Sequence, residues 1–215
     1  MKKIKLLSVL AMSLLAFAFT SCNTGDSDGF QWPTAAETQQ LFSQIQGYHN
    51  GGILFPGSYG TTDAEKFDKD SIATTCYFTP ADSMLTVSNV PVAYFAKYIK
   101  DATLKAEIEK LPAQNLKIKV CPYNFNQQMF ITGTNDITYT NSEGKKVQIQ
   151  FYSGYSNYSV AYIGTKKTNN KKELAVYITP GRILVGGETK SNVFNTYTYN
   201  GYTNAYCAML EMELQ

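Results

Sequence analysis

A two-residue alternation of apolar and polar side chains recurs along this 215-residue chain and constrains its fold more than any other feature. The clearest segments place apolar residues at Leu116, Ile118 and Val120, at Val147, Ile149 and Phe151, and at Ala208, Leu210, Met212 and Leu214. Each such strand has one buried face and one wet face, which is typical of antiparallel pairing. Eight or nine strands joined by short turns predict a mainly β (α+β) fold, an antiparallel β-barrel or sandwich of about eight strands.

Two helices are predicted among the strands. A short amphipathic helix near 34–46 begins with Thr34 and Glu37 at the spacing of a capping box and carries an apolar stripe. A long amphipathic helix is predicted near 91–111, because Pro91 suits a first turn, apolar residues follow at steps of three or four, and Pro112 ends the pattern. We expect both apolar faces to be buried on the sheet.

The first 21 residues have the parts of a bacterial secretory signal. Lys2, Lys3 and Lys5 form a basic start, residues 6–19 are apolar, and Thr20-Ser21 precedes Cys22. The junction before Cys22 resembles a lipobox, in which the cysteine thiol receives a diacylglycerol group. We therefore expect a lipoprotein signal peptide at 1–21 and a lipid anchor on Cys22, with an ordinary secretory signal as the alternative.

The remaining chain is expected to form one domain on a tether. Residues 22–31 are polar and acidic and form a flexible tether, and 32–215 are predicted to be a single mostly antiparallel β domain. Acidic residues after the anchored cysteine resemble the surface-export signal of Bacteroidetes lipoproteins. That resemblance implies the outer membrane and the cell surface, and a periplasm-facing anchor is the alternative.

Several segments together resemble a known family. These are the segment from Gly47 to Gly52, the strand-to-helix step from Met84 to Pro91, and Cys121-Pro122-Tyr123. They resemble an uncharacterised family of lipoproteins from gut Bacteroides that carries a domain of unknown function. The resemblance implies an outer-membrane location and a mostly β domain, and it transfers no catalytic residue.

The charge balance argues against a nucleic-acid partner. The chain has 19 basic and 17 acidic residues, and the three lysines of the signal segment leave 16 basic residues after cleavage. A near-neutral surface cannot neutralise a phosphate backbone. The expected partners are the membrane, through the lipid anchor, and a glycan or envelope protein.

Motifs for metal, phosphate or nucleophilic chemistry are missing from the sequence. His49 is the only histidine and lies in a glycine-rich segment that we interpret as an exposed turn. Gly51-Gly52 and Gly186-Gly187 lack the further residues of a phosphate loop, so we interpret them as turn or bulge glycines. Cysteines stand singly, without the spacing of a zinc site, so neither a metal site nor a cofactor is predicted.

Two weaker hypotheses concern carboxylates and cysteines. A glycan hydrolase needs two carboxylates close in space, for which Asp136, Glu173 and Glu188 are candidates. Strand parity selects Cys121 and Cys207 for a disulfide, and three thiols in or near the core are the alternative.

The unusual component is tyrosine, with 16 residues, half of which are concentrated in two stretches that also contain Asn, Ser and Gly. Such mixtures suit recognition, because Tyr gives rigid contact area and Asn adaptable hydrogen bonds, although Tyr is also an ordinary strand residue. The candidate ligand-binding residues are Tyr155, Asn157, Tyr158, Tyr197, Tyr199, Asn200 and Tyr202. The sequence favours non-catalytic binding of a glycan or envelope partner. The alternatives are an assembly subunit, a lipocalin-like carrier and a carboxylate-based hydrolase.

Overall fold

The fold comes from a computed structural model that describes residues 31–56, 69–154, 159–166, 170–199 and 201–214. Helix α1 (Ala35–Ile45) precedes the strands, and a 3-10 helix (Val92–Tyr98) and helix α2 (Ala102–Ile108) follow the third strand. The strands are β1 (Gly47–Pro56), β2 (Lys69–Thr79), β3 (Met84–Val90), β4 (Gln114–Asn124), β5 (Met129–Thr134), β6 (Ile137–Thr140), β7 (Lys146–Phe151), β8 (Ser153–Gly154), β9 (Val160–Thr165), β10 (Lys172–Ile178), β11 (Pro180–Val185), β12 (Glu188–Lys190), β13 (Thr196–Tyr199), β14 (Tyr202–Ala205) and β15 (Ala208–Glu213).

Eight strands close into an antiparallel barrel. They follow the order β4-β3-β2-β1-β15-β10-β9-β5, and β5 pairs back with β4 to complete the ring. The prediction of a mainly β fold is therefore confirmed, with a barrel rather than a sandwich. Closure also removes the exposed strand edges that an open sheet would leave.

The alternation seen in the sequence fills the interior of this barrel. Leu85, Ile118, Phe130 and Leu210 point inward and are fully buried, whereas their neighbours along each strand face outward. Large buried side chains in a closed eight-stranded barrel form a packed core. This packing favours a structural interior over the ligand cavity of a lipocalin-like carrier.

Helix α1 covers one end of the barrel, which we call the α1 end. The predicted capping box is confirmed: Thr34 Oγ1 accepts the Glu37 N–H, and Glu37 Oε2 accepts the Thr34 N–H at 2.7 Å. The apolar stripe then reaches the barrel, since the Phe42 and Phe78 rings lie 5.0 Å apart. β1 starts at this end and β15 finishes here.

The far end carries the longer connections. The 3-10 helix between β3 and β4 closes this end, with the Phe95 ring 5.4 Å from that of Phe55. A four-stranded sheet of order β12-β11-β7-β6 and the β13–β14 hairpin also belong to connections leaving this end. Long connections on a rigid barrel commonly carry function.

The prediction of one long helix over 91–111 is wrong. The segment forms the 3-10 helix and α2, separated by extended backbone at Ile99, which pairs with Phe194. Asp101 then begins α2, because its Oδ1 accepts the Thr103 and Leu104 N–H groups at 3.0 Å each. A pairing with a residue far along the chain and a side-chain cap therefore override the helical periodicity.

The glycine-rich segment after α1 is also different from its interpretation as a turn. Gly47 has a φ of +92° and starts β1, whereas Gly51 and Gly52 lie within that strand. Pro180 and Gly181 start β11, where the register with β7 shifts at a bulge. The interpretation of Gly186 and Gly187 as turn glycines is confirmed, since they connect β11 to β12 with φ values of +61° and +90°.

Candidate functional site

The exposed aromatic side chains define the candidate site. Among the side chains that the structure describes, four large hydrophobic residues are exposed, and all four are tyrosines: Tyr48, Tyr77, Tyr152 and Tyr162. Tyr48 stands out because 76% of its surface is exposed, about twice the fraction of the other three. Exposed rings on an otherwise packed barrel are candidates for ligand contact.

Tyr48 and Tyr77 form a pair that we call the tyrosine platform. They are directly opposite on β1 and β2, with ring centroids 4.3 Å apart and planes inclined by 31°. Register brings polar groups beside the rings, since Asn50 is opposite Thr75 and Thr86 is opposite Tyr77. The platform therefore offers aromatic surface flanked by an amide and two hydroxyl groups.

A groove begins at His49, directly after Tyr48, at the rim of the α1 end. This rim groove has a volume of about 420 Å³ and is lined by His49, Asn50, Lys171, Lys172, Glu213 and Leu214. Lys171 Nζ is 3.2 Å from Glu213 Oε2. Within the described chain, no carboxylate lies within 4 Å of Lys172 Nζ. The groove thus combines an amide with two ammonium groups and one carboxylate.

His49 holds the floor of this groove in place. Its side chain is buried, and Nε2 lies 3.1 Å from the Ile45 carbonyl oxygen and 3.0 Å from that of Gln46. Nδ1 lies 3.0 Å from the Glu213 carbonyl oxygen. The interpretation of His49 as an exposed turn residue is therefore wrong, because the imidazole joins β1 to the C-terminus of α1 and to β15.

A network of opposite charges lies on the outer wall next to the groove. Lys166 Nζ is 2.6 Å from a Glu211 carboxylate oxygen and 3.9 Å from one of Glu173. Burial, followed by the negative charge of Glu211, raises the pKa of Glu173 above its ordinary value. Glu173 Oε2 is buried and has no hydrogen-bond partner among the described residues.

The three carboxylates considered for hydrolysis do not come together. Asp136 precedes β6 and Glu188 lies on β12, and these two strands form opposite edges of the four-stranded sheet, about 14 Å apart at ordinary strand spacing. Glu173 belongs to the barrel and neighbours Glu211, but the Lys166 ammonium lies between those two carboxylates. This arrangement suits a structural ion network better than a pair of groups flanking a sugar.

The side chains of the ligand-binding residues that were selected from the sequence are not among those that the structure describes. Tyr155, Asn157, Tyr158 and Asn200 lie outside the described residues, as does Cys22. Tyr197 and Tyr199 are on β13 and Tyr202 is on β14, where only the backbone is described. The β13–β14 hairpin belongs to a connection at the far end of the barrel, and the role of all these residues in binding stays a prediction.

The cysteines do not adopt the pairing expected from strand parity. Cys207 is a half-buried thiol that precedes β15, whose neighbours are β1 and β10. Cys121 lies on β4, between β3 and β5. The structure therefore does not contain the Cys121–Cys207 disulfide. Cys76 is a buried thiol, and burial raises its pKa to about 12.

Sequence reasoning missed the tyrosine platform. Tyr48 lies in a glycine-rich segment and Tyr77 in an ordinary strand, so neither belongs to a tyrosine-rich stretch. Only the register of β1 and β2 brings the two rings together. The available signal was the alternation of β2, which places Tyr77 on the face opposite Cys76 and Phe78.

Comparison with known protein families shows which family the chain belongs to. The model of a domain of unknown function, DUF4840, matches residues 44–185. The chain belongs to the DUF4840 family. The match extends from the end of α1 to β11, so it contains the platform and all four exposed tyrosines. No curated protein matches the chain.

Two further findings concern the described part of this DUF4840 protein. No three His, Cys, Asp or Glu side chains in the described ranges are grouped so that they could hold a metal ion. No helix in those ranges is long and apolar enough to cross a membrane.

Proposed function

We propose that this protein is a membrane-anchored, non-catalytic binding protein that recognises a glycan through the tyrosine platform. The observation that supports it most is that the large aromatic ring of Tyr48 faces solvent and is not packed into the core. Tyr77 lies against it at 4.3 Å, so the two rings restrict each other's motion. A rigid aromatic surface costs little conformational entropy when a ligand stacks on it.

The polar neighbours fit a sugar better than a purely apolar ligand. Asn50 and Thr75 are exposed beside the platform, and Thr86 is half-buried on the other side of Tyr77. An amide both donates and accepts hydrogen bonds, as does a hydroxyl group, so these side chains match the hydroxyl groups of a sugar ring. The apolar C–H face of the same ring can then lie on the tyrosines.

The membrane anchor is the second part of the proposal, and the sequence of the signal segment supports it. Cys22 would carry the acyl chains, residues 22–31 would separate the domain from the bilayer, and the outer membrane with its face toward the surroundings is the proposed location. Growth with a palmitate analogue should label the wild-type protein and leave a Cys22→Ala variant unlabelled. Equal labelling of both proteins would contradict the anchor.

A glycan array tests the binding function. The protein produced from its full chain is compared with a Tyr48→Ala, Tyr77→Ala double variant and with Tyr152→Ala. Tyr152 is a matched control because it is exposed to the same 39% as Tyr77 but lies outside the platform. We expect saturable binding in the wild type and the control, and at least a tenfold loss in the double variant.

Other results of the array would overturn the glycan assignment. Absence of binding by the folded wild type would redirect the proposal to an envelope protein as partner. Equal binding by the wild type and the double variant would move the site away from the platform. A Tyr197→Ala, Tyr199→Ala variant on the same array tests the far-end tyrosines independently.

A further inference from the structure

The platform and the rim groove lie at the same end of the barrel as the first described residues. Tyr48 is near the start of β1 and Tyr77 near the end of β2, both at the α1 end. Trp32 packs edge-on against Tyr123, with centroids 5.5 Å apart, close to where β4 finishes at that same end. The chain therefore enters the domain at the end of the barrel that carries the platform.

The length of the tether then limits how the domain can stand on a membrane. Nine residue steps separate Cys22 from Gln31, a reach of about 30 Å when fully extended. The ten residues of β1 make a barrel wall roughly 25 Å tall at an ordinary strand tilt. An anchor on Cys22 consequently keeps the α1 end within about 30 Å of the bilayer, so the platform can reach the membrane surface.

The rim groove adds positive charge to the sugar-stacking surface. Asn50 connects the two, since it lines the groove and follows Tyr48 by two positions on the same face of β1. Across the groove, Lys171 forms an ion pair with Glu213. Lys166 forms ion pairs with Glu211 and Glu173. Lys172 remains without a carboxylate within 4 Å among the described residues. An ammonium group of this kind suits a phosphate oxygen as partner.

We propose that the platform and rim groove bind the phosphorylated sugar headgroup of a glycolipid in the membrane that holds the anchor. This inference rests on the proposed glycan-binding function and on the anchor at Cys22. The sugar ring lies on Tyr48 and Tyr77, Asn50 bonds to its hydroxyl groups, and the phosphate meets Lys172 and Lys171. A ligand in the same membrane lies within reach of the tether at the α1 end.

Calorimetry with water-soluble probes tests the ligand chemistry. The acylated protein from the full chain, in neutral detergent micelles, is titrated with a glucosamine disaccharide bisphosphate, with the dephosphorylated disaccharide and with inorganic phosphate. We expect the bisphosphate to bind at least tenfold more tightly than either of the others. Lys172→Gln should lose that advantage, and Lys105→Gln should keep it, since Lys105 is an exposed lysine on α2 at the far end.

The results separate the inference from the function on which it rests. Equal binding of both disaccharides, lost in Tyr48→Ala, would keep the glycan site and overturn the phosphate. Equal binding of inorganic phosphate and the bisphosphate would overturn the sugar contact. If neither disaccharide binds, this inference is overturned. If the array also shows no binding, the glycan-binding function is overturned as well.

A vesicle experiment tests the orientation. The acylated protein is reconstituted in phosphatidylcholine vesicles with or without a phosphorylated glucosamine glycolipid, and amine acetylation is followed at single lysines by mass spectrometry. We expect acetylation of Lys172 to fall severalfold when the glycolipid is present and acetylation of Lys105 to stay constant. Unchanged acetylation of Lys172, together with binding of the soluble bisphosphate, would show that the site does not face the membrane.

Discussion

The imidazole Nε2 of His49 lies 3.1 Å from the carbonyl oxygen of Ile45, and this contact joins β1 to the last turn of α1. The carbonyl oxygens of Gln46 and Glu213 also surround the ring at 3.0 Å. The last carbonyls of a helix have no partner within it, so a buried side chain that binds them stabilises the helix end.

Replacing His49 should therefore destabilise the protein. We expect His49→Ala to lower the free energy of unfolding by about 1–3 kcal/mol, because buried carbonyl oxygens lose their donor. His49→Gln keeps an N–H donor and should cost less. Urea unfolding of the three proteins measures the difference, and wild-type stability in His49→Ala would contradict the contact.

Gly51 should tolerate substitution less well than its neighbour Gly52. A Cβ on Gly51 would lie 2.7 Å from the Glu211 carbonyl oxygen, a backbone atom, whereas one on Gly52 would meet the Ser71 hydroxyl oxygen at 3.2 Å. We expect Gly51→Ala to cost about 1–3 kcal/mol and Gly52→Ala less, since a serine side chain can move. Thermal unfolding of both variants checks the order, and equal melting temperatures would refute it.

Glu173 should make the stability of the protein depend on pH. Burial and Glu211 raise its folded pKa above the unfolded value of 4.5, so folding favours the protonated carboxyl group. Its contribution is fully present below pH 4.5 and is lost as the pH rises through the folded pKa. Glu173→Gln should therefore be at least as stable as the wild type at pH 7, and its advantage should vanish at pH 4.

The control for this prediction is Glu188→Gln, which changes an exposed carboxylate on β12. Urea midpoints of the wild type and both variants at several pH values should show the pH-dependent gain for Glu173→Gln, with Glu188→Gln as the measure of replacing an exposed carboxylate. A Glu173→Gln variant that is less stable at pH 7 than at pH 4, relative to the wild type, would reverse the sign and contradict the account.

Cys76 should resist alkylation while the protein is folded. Its side chain is 1% exposed, and burial raises its thiol pKa to about 12, so the reactive thiolate is scarce at neutral pH. Mass spectrometry after iodoacetamide treatment should find Cys76 unmodified in native buffer and modified in denaturant. Rapid native modification of Cys76 would mean that β2 opens or that the thiol is accessible.

The sequence predicted the parts of the fold that depend on local chemistry. Thr34 and Glu37 are three residues apart, so their capping box could be recognised, and the alternation around Leu116 and Leu210 identified β4 and β15. The break in the long helix could not be recognised in this way. It depends on Ile99 pairing with Phe194, a residue far along the chain.

The candidate site was less predictable than the fold for the same reason. Composition drew attention to the tyrosine-rich stretches, whereas the platform consists of two tyrosines that are 29 positions apart and share no motif. His49 was likewise assigned to an exposed turn, because glycines on both sides hid the strand that carries it. Strand register, which the sequence does not state, decides both cases.

Footprinting of the tyrosines in the presence of a glycan retained on the array is the most direct test of the binding function. Hydroxyl-radical modification of each tyrosine is quantified by mass spectrometry with and without that glycan. The account predicts that modification of Tyr48 and Tyr77 falls severalfold while that of Tyr152, equally exposed as Tyr77, stays constant. Unchanged modification of Tyr48 with the glycan bound, or protection of Tyr197, Tyr199 and Tyr202 in its place, would contradict the account.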